Sequence, residues 1–334
     1  MTLRMELGEN SYDIVIERGL LQKAGELLDL DRKVLIVTDD GVPEIYAKTV
    51  AKSCKDPTVV TIPQGESSKS FPVLEQLLSR MLAAGFTRSD CVCAVGGGVV
   101  GDLSALAAAL YMRGIDFYNI PTTLLSQADS SIGGKTGIDL DGVKNVVGVF
   151  RQPKKVLIDP DTLSTLPPRQ IAAGHAEIVK AGLIADAELF SLYESGEAER
   201  DLVTALSRAL AVKKAVVEQD EKESGLRRVL NFGHTVGHGI ESVTGLLHGE
   251  CVAVGMIPMC APAVRERLIP VLIRLGLPTA VKADPENVFA ALLHDKKAAG
   301  GRITAILVSE VGSFNQISLS PEALREKIET VVKQ

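Results

Sequence analysis

The run DCVCAVGGGVVGD at 90–102 constrains this chain most. An apolar strand-like segment enters three consecutive glycines and leaves into a long Ala/Leu-rich helix. The same order recurs upstream. YDIVI (12–16) and KVLIVT (33–38) read as strands, 43–54 has helical periodicity, and TVVTI (58–62) is a strand. A polar turn, PQGESSKSFP (63–72), precedes a helix running to about Ala84. Strands alternating with helices predict a parallel sheet that holds ligands at its strand C-terminal ends. Cys91 and Cys93 lie two apart in a strand, so they share a face, and core packing accounts for both.

Gly96, Gly98 and Gly101 satisfy G-x-G-x-x-G between a strand and a helix. Glycines there let a backbone approach a pyrophosphate, and a helix N-terminus favours its charge. A plain Gly-rich turn fits the same residues, because no acidic residue ends a strand about twenty positions on. The supporting groups are upstream: Asp39 at a strand end could take a ribose hydroxyl, and Gly65, Glu66 and Lys69 form a polar turn. A dinucleotide site is therefore expected, but not in the usual Rossmann order.

FYNIPTTLLSQADSSIGGKTGIDLDGVKNVVGVF (117–150) sets Asp129, Lys135, Lys144 and Asn145 among glycines and small hydroxyl residues. Two ammonium groups in Gly-rich loops suit a phosphorylated or carboxylated ligand. A solvated surface loop is the alternative, and the apolar neighbours of each polar residue argue against it. After the strand-like KVLI (155–158), a domain boundary is expected near Pro160, which divides the chain into 1–160 and 161–334.

Helical periodicity dominates the second half, over 169–185, 187–195, 198–220, 228–244 and 248–260. Glu177 and Lys180 are three apart on one helical face, as a binding pair or a surface salt bridge would be. His175 points elsewhere on that helix and is read as structural. Lys213, Arg227 and Asn231 lie upstream of LNFGHTVGHGIESVTGLLHGE (230–250), which holds three of the five histidines, His234, His238 and His248. His234 and His238, four apart, share a face as in a zinc-binding H-E-x-x-H helix, but the Glu of that motif is missing. Spacing alone nominates His234 and His238 as metal ligands, with His248 or a carboxylate as the third.

A net charge of −6 without a long basic run excludes nucleic-acid binding as the main role. The longest uncharged run near the C-terminal half, Cys251–Val264, is too short to cross a bilayer. An N-terminus without a signal-type apolar core and an odd number of cysteines point to a reducing, cytoplasmic setting.

As an ordered set, PQGESSK, GGGVVGD, YMRG, PTTLLSQADSSIGGKTG, KN at 144–145, TLPPR, AEIVK, DEKESGLRRVLNFGHTVGH, HGE and HDKK resemble the 3-dehydroquinate synthases of the sugar phosphate cyclase family. The resemblance runs from about residue 12 to 297. It implies an α/β Rossmann-like N-terminal domain for NAD, an all-α C-terminal domain for a divalent metal (zinc or cobalt), an active site in the cleft between them, and a homodimer. Matched by position, the implied metal ligands are Glu177, His234 and His248, and His238 becomes a proton-handling residue. Implied substrate contacts are Asp129, Lys135, Asn145, Lys180, Lys213, Arg227, Asn231 and Lys296, with Arg113 reaching a phosphate across the dimer. Implied NAD contacts are Asp39, Glu66, Lys69, Gly97, Gly98, Val99, Asp102, Thr122, Thr123, Lys144 and Thr165.

The chain departs from the family pattern in three places. Gly41 replaces a frequent Asn near the adenosine ribose, GVKN stands for LGKN, and the segment from Met259 to RLGLPT is shortened, with a helix or its turn trimmed. The implied reaction converts 3-deoxy-D-arabino-heptulosonate 7-phosphate to 3-dehydroquinate and phosphate, with NAD regenerated each turn. Three rivals stand beside it: a sibling cyclase acting on another sugar phosphate, a metal-dependent polyol dehydrogenase that consumes NAD, and a non-catalytic NAD-binding protein.

Overall fold

The computed structural model describes residues 1–296 and 303–333, without the side chains of 293–296. The chain forms two compact units, Met1–Leu166 and Pro167–Gln334.

The first unit is built on strands β1 (Thr2–Met5), β2 (Tyr12–Ile16), β3 (Lys33–Asp39), β4 (Asp56–Ile62), β5 (Cys91–Gly96), β6 (Asp116–Pro121), β7 (Ile138–Leu140), β8 (Val143–Val147) and β9 (Lys155–Ile158). Seven of them form one sheet in the order β1-β2-β9-β6-β5-β3-β4. All its pairs are parallel except β1 with β2. Helices α1 (Ala24–Leu27), α2 (Glu44–Ala51), α3 (Phe71–Ala83) and α4 (Gly98–Leu110) lie between the strands in sequence.

The side-chain period of two divides β3 and β5 between two cores. Leu35, Val37, Val92 and Ala94 pack with Leu74, Leu77 and Met81 of α3 and Val100 and Leu103 of α4. Val34, Ile36, Cys91, Cys93 and Val95 pack with Leu20, Leu21, Ala47 and Val50. Both faces are covered, which is why these strands read as continuous apolar runs. The two cysteines are free and fully buried, and burial pushes the Cys91 thiol up to about 12. The chain leaves β3 for β4 on one side and returns to pair β5 on the other. That reversal is the position where open α/β sheets bind ligands, and it juxtaposes the ends of β3 (Asp39) and β5 (Gly96).

The turn Pro160–Thr165 belongs to the first unit, so the break falls at 166/167 rather than at 160. Asp159 accepts from Asp161 N at 3.0 Å, and Gln127 Nε2 donates to Thr162 Oγ1 at 3.1 Å, fastening the turn to Gln127 and to the residue that follows β9.

The second unit contains α5 (Pro168–Ala185), α6 (Ala187–Ser195), α7 (Glu197–Arg200), α8 (Leu202–Gln219), α9 (His234–Val243), α10 (His248–Met256), α11 (Pro262–Arg274), α12 (Pro285–Lys296) and α13 (Pro321–Val331). It is helical, with two small additions that periodicity did not predict. β10 (Val281–Lys282) pairs in parallel with β13 (Val332–Lys333), and β11 (Ile303–Leu307) pairs antiparallel with β12 (Asn315–Leu319).

Two expected helices are interrupted. The segment 198–220 breaks at Asp201, whose carboxylate accepts from Thr204 N at 3.2 Å and starts α8. The segment 228–244 is a 3-10 turn, Leu226–Asn231, followed by Gly233 at φ 79 and then α9. A Cβ on Gly233 would lie 2.9 Å from Val252 O, so close packing of α9 on α10 requires glycine there. The shortened segment after Met259 still carries a full helix, α11, with Leu268, Val271 and Leu272 buried.

Candidate metal centre and nucleotide-binding loops

In the second unit, α5 packs against α8 and α10, and α9 packs against α10. A Cβ on Gly249 would stand 2.0 Å from Ala173 O, so α10 meets the backbone of α5 at one glycine. That approach sets His248, the first residue of α10, beside Glu177 of α5. His234, the first residue of α9, completes the group: one ligand atom from each of Glu177, His234 and His248 lies within 4.8 Å of the others. Both Nε2 atoms are 3.6 Å from Glu177 Oε1.

The donor chemistry of this group suits a borderline divalent cation. Glu177 is 3% exposed, and neither carboxylate oxygen receives a hydrogen bond of good geometry, although the Lys180 ammonium lies against Oε2. Burial alone would raise the Glu177 carboxyl. The Lys180 ammonium, with His234 and His248, outweighs it and holds the group well below the usual carboxylate range. Burial lowers His234 to about 3, whereas at His248 burial is outweighed by hydrogen bonds to the Glu177 and Glu241 carboxylates, which push it up to about 10, so an ion bound here would displace the proton that His248 Nε2 shares with Glu177. Each histidine is also fixed at Nδ1, His234 by Phe232 O at 3.1 Å and His248 by Glu241 Oε2 at 3.0 Å.

His238, exposed on α9, is not part of the Glu177 group. Its ring centroid is 5.3 Å from that of His234 and 5.9 Å from that of His248, and it clusters with Glu241 and His248. Spacing paired His234 with His238, whereas the folded chain pairs His234 with the buried Glu177 and with His248. His175 is buried with its Nδ1 2.7 Å from Tyr193 Oη.

Lys213 (α8) and Arg227 are buried, the latter only 2% exposed. Asp220 carries Arg227, accepting from Gly225 N at 2.7 Å and Arg227 N at 2.9 Å. Asn231 Nδ2 donates to Glu223 Oε1 at 2.7 Å, and Glu223 adopts φ 59. Sequence reading missed Glu223, Asp220 and Glu241. Only Glu241 left a signal, three positions after His238 and seven after His234 on one helical face. The Lys296 side chain lies outside the described residues.

In the first unit, Gly96 ends β5, Gly97 caps α4 and Gly98 begins it. Val99 follows in the first turn, and Asp102 lies one turn on, where Lys69 Nζ meets its Oδ2 at 2.9 Å. Thr122 N donates to Gly96 O at 2.9 Å, and the Thr123 methyl would lie 3.1 Å from a Cβ on Gly97. Glu66 lies 3.5 Å from the Lys69 ammonium, so the polar turn and the glycine loop share one cation. The Asp39 carboxylate accepts from Gly41 N at 2.9 Å and Val42 N at 3.1 Å, so one of its oxygens is committed to its own turn. A Cβ on Gly41 would meet the Gln64 carboxamide at 2.4 Å, so that amide fills the space of the expected Asn.

Asp129 lies half-buried in the π-helical turn Ser126–Ser130, and Lys135 and Lys144 are exposed on the Gly-rich segment. Thr165 Oγ1 is 2.9 Å from Tyr46 Oη. Arg113 is exposed at φ 70 beside Met112 at φ 48, a strained pair that presents its guanidinium to solvent.

Residues 59–173 match the family model for the 3-dehydroquinate synthase N-terminal domain, and 174–298 match the model for its C-terminal domain. The chain belongs to the 3-dehydroquinate synthase family. A 3-dehydroquinate synthase of Enterococcus faecalis is 41% identical over 97% of this chain and 98% of its own length. One of Caulobacter vibrioides is 42% identical over 93% of each. Among solved structures, 2-deoxy-scyllo-inosose synthase with carbaglucose-6-phosphate, NAD+ and Co2+ superposes with a TM-score of 0.90 at 26% identity, covering 99% of this chain and 100% of that one. A 2-epi-5-epi-valiolone synthase of Streptomyces hygroscopicus with NAD+ and Zn2+ gives 0.88 at 31% identity over 98% of each. An iron-containing alcohol dehydrogenase, at 0.65 and 19% identity over 96% and 97%, shares the fold alone.

Proposed function

We propose that this chain converts 3-deoxy-D-arabino-heptulosonate 7-phosphate to 3-dehydroquinate and phosphate, with catalytic NAD and a divalent ion. The observation that carries the reading is the convergence of His234 and His248 on the buried Glu177, with the Lys180 ammonium against it. The sibling cyclases share the fold, but identity to the dehydroquinate-forming relatives is higher, at 41–42% against 26–31%. Asp129, Lys135, Asn145 and Arg227 together suit the carboxylate-bearing substrate.

Glu177, His234 and His248 would hold the ion, which supplies Lewis-acid polarisation of a substrate hydroxyl. The backbone N–H groups of Gly97, Gly98 and Val99 would receive the NAD pyrophosphate. Lys69, Glu66, Asp39, Asp102, Thr122, Thr123, Lys144 and Thr165 would line the rest of the dinucleotide. NAD supplies a reversible hydride acceptor and is regenerated each turn. Lys180 keeps Glu177 ionised and, with Lys213, Arg227 and Asn231, would bind and orient the charged ends of the substrate. His238, exposed beside the group, would move the proton that ring chemistry requires. Arg113 would contact phosphate across a homodimer in the cytoplasm.

Phosphate release from this substrate with sub-stoichiometric NAD and flat absorbance at the NADH wavelength is the expected result. Steadily rising absorbance with a polyol would replace this reading with a dehydrogenase. A monomer in sedimentation would remove the role given to Arg113.

A further inference from the structure

The two histidines of the metal group are anchored unequally. Both present Nε2 to Glu177 Oε1 at 3.6 Å, so both must carry their proton on Nδ1 to keep a lone pair for an ion. The Nδ1 of His234 faces a neutral acceptor, Phe232 O, at 3.1 Å. The Nδ1 of His248 faces a carboxylate, Glu241 Oε2, at 3.0 Å. Glu241 lies on α9, the helix that His234 begins, whereas His248 begins α10. The Glu241–His248 contact therefore ties together the two helices that supply the histidines.

The geometry points to Glu241 as a positioning residue that makes His248 the stronger imidazole donor and helps set the metal affinity of the site. A carboxylate accepting the Nδ1 proton fixes the tautomer and ring plane and pushes electron density toward Nε2, as a neutral carbonyl does less. The charges agree. The Lys180 ammonium against Glu177 offsets part of the ligand set's negative charge, and the Glu241 carboxylate restores it without occupying a coordination position. No other charged partner is placed against His248 Nδ1 among the described contacts. The inference rests on the reading that Glu177, His234 and His248 hold the ion.

The test measures Zn2+ affinity of the full chain by competition with a chromophoric chelator at fixed pH. Wild type is compared with Glu241→Gln, Glu241→Asp and His248→Ala, and the visible d–d spectrum of each Co2+ form is recorded. Glu241→Gln preserves shape and removes the charge. We expect it to weaken Zn2+ binding about 10- to 100-fold and to shift the Co2+ bands, with the melting temperature of the metal-free protein unchanged. Glu241→Asp is expected to recover part of the affinity. Wild-type affinity and spectrum in Glu241→Gln, with His248→Ala impaired, would overturn the role of Glu241 alone. Undiminished affinity in His248→Ala would overturn the metal assignment and this inference with it. A loss in Glu241→Gln that tracks a fall in metal-free melting temperature, with the Co2+ spectrum unmoved, would also overturn it.

Discussion

The ammonium of Lys69 donates a hydrogen bond to Oδ1 of Asn145, and Asn145 holds φ 55. The family resemblance implied different ligands for these two residues, NAD for Lys69 and the substrate for Asn145. The structure joins them. Lys69 also pairs with Asp102 at 2.9 Å, its carbonyl accepts from Asp139 N at 2.9 Å, and Asp139 Oδ1 accepts from Asn145 N at 2.8 Å. Burial alone would lower the Lys69 ammonium, but Asp102, Glu66 and Asp139 raise it, so it stays charged. One cation thus ties the glycine loop, the polar turn and the β7–β8 hairpin.

Lys69→Met should therefore raise KM for NAD and for substrate together. The expected fall in kcat/KM is about 10- to 100-fold, the effect of losing a charged hydrogen bond of ~1.5–3 kcal/mol. Bound metal should stay constant by atomic absorption. An effect confined to the NAD KM would separate Asn145 from this network.

Chelation should abolish phosphate release, and added zinc or cobalt should restore it. His248→Ala should lose metal, whereas His238→Ala should keep it and lose turnover. Equal loss of metal in both variants would favour the grouping that spacing alone predicts, with His238 as a ligand.

Gly249→Ala should destabilise the protein by at least ~1–3 kcal/mol, because its Cβ would stand 2.0 Å from Ala173 O and overpacking forces backbone shifts. The same shift moves His248 away from Glu177, so zinc affinity should fall with the melting temperature. An unchanged melting curve would mean that α5 and α10 do not approach as closely as described.

Asp220 governs an acid-side transition. Its carboxylate is lowered mainly by the backbone N–H of Arg227, then by that of Gly225, with Ser224 adding a smaller contribution. A depressed folded value contributes stability that is present above the unfolded carboxylate value of about 3.9 and lost as pH falls through the lower folded one. Amide exchange at Gly225 and Arg227 should accelerate on acidification in that window. Asp220→Asn keeps one acceptor oxygen but turns an amide donor toward either the Ser224 N–H or the Gly225 and Arg227 N–H groups, so part of the acceleration should already be present at neutral pH. Identical exchange in both proteins would show that the cap does not hold the turn.

Much of this molecule was legible in local pattern. The β2 and β9 segments, α5 and α6 lie within a residue of where periodicity placed them, and Gly96 and Gly98 sit at the strand-to-helix turn that their spacing implied. These features depend on neighbours in sequence: side-chain period, backbone freedom at glycine and the hydrogen bonds of a single helix. His234 and His238 were likewise readable as neighbours on one face.

Which imidazoles gather beside Glu177 was decided elsewhere. Glu177 and His248 lie on different helices, and no periodicity in either segment refers to the other. Their meeting depends on α10 pressing on α5 at Gly249 and on α9 turning at Gly233, both contacts between distant backbones. The same holds for Glu241 on His248 and Lys69 on Asn145, where a carboxylate and an ammonium acquire their roles from partners that only folding brings within hydrogen-bond reach. By itself, local sequence pattern determined the elements and the kinds of donor available, and the family resemblance named Glu177, His234 and His248 without the packing that brings them together. The tertiary structure decided which donors converge, because convergence is a property of packed helices and strands and leaves no periodic trace along the chain.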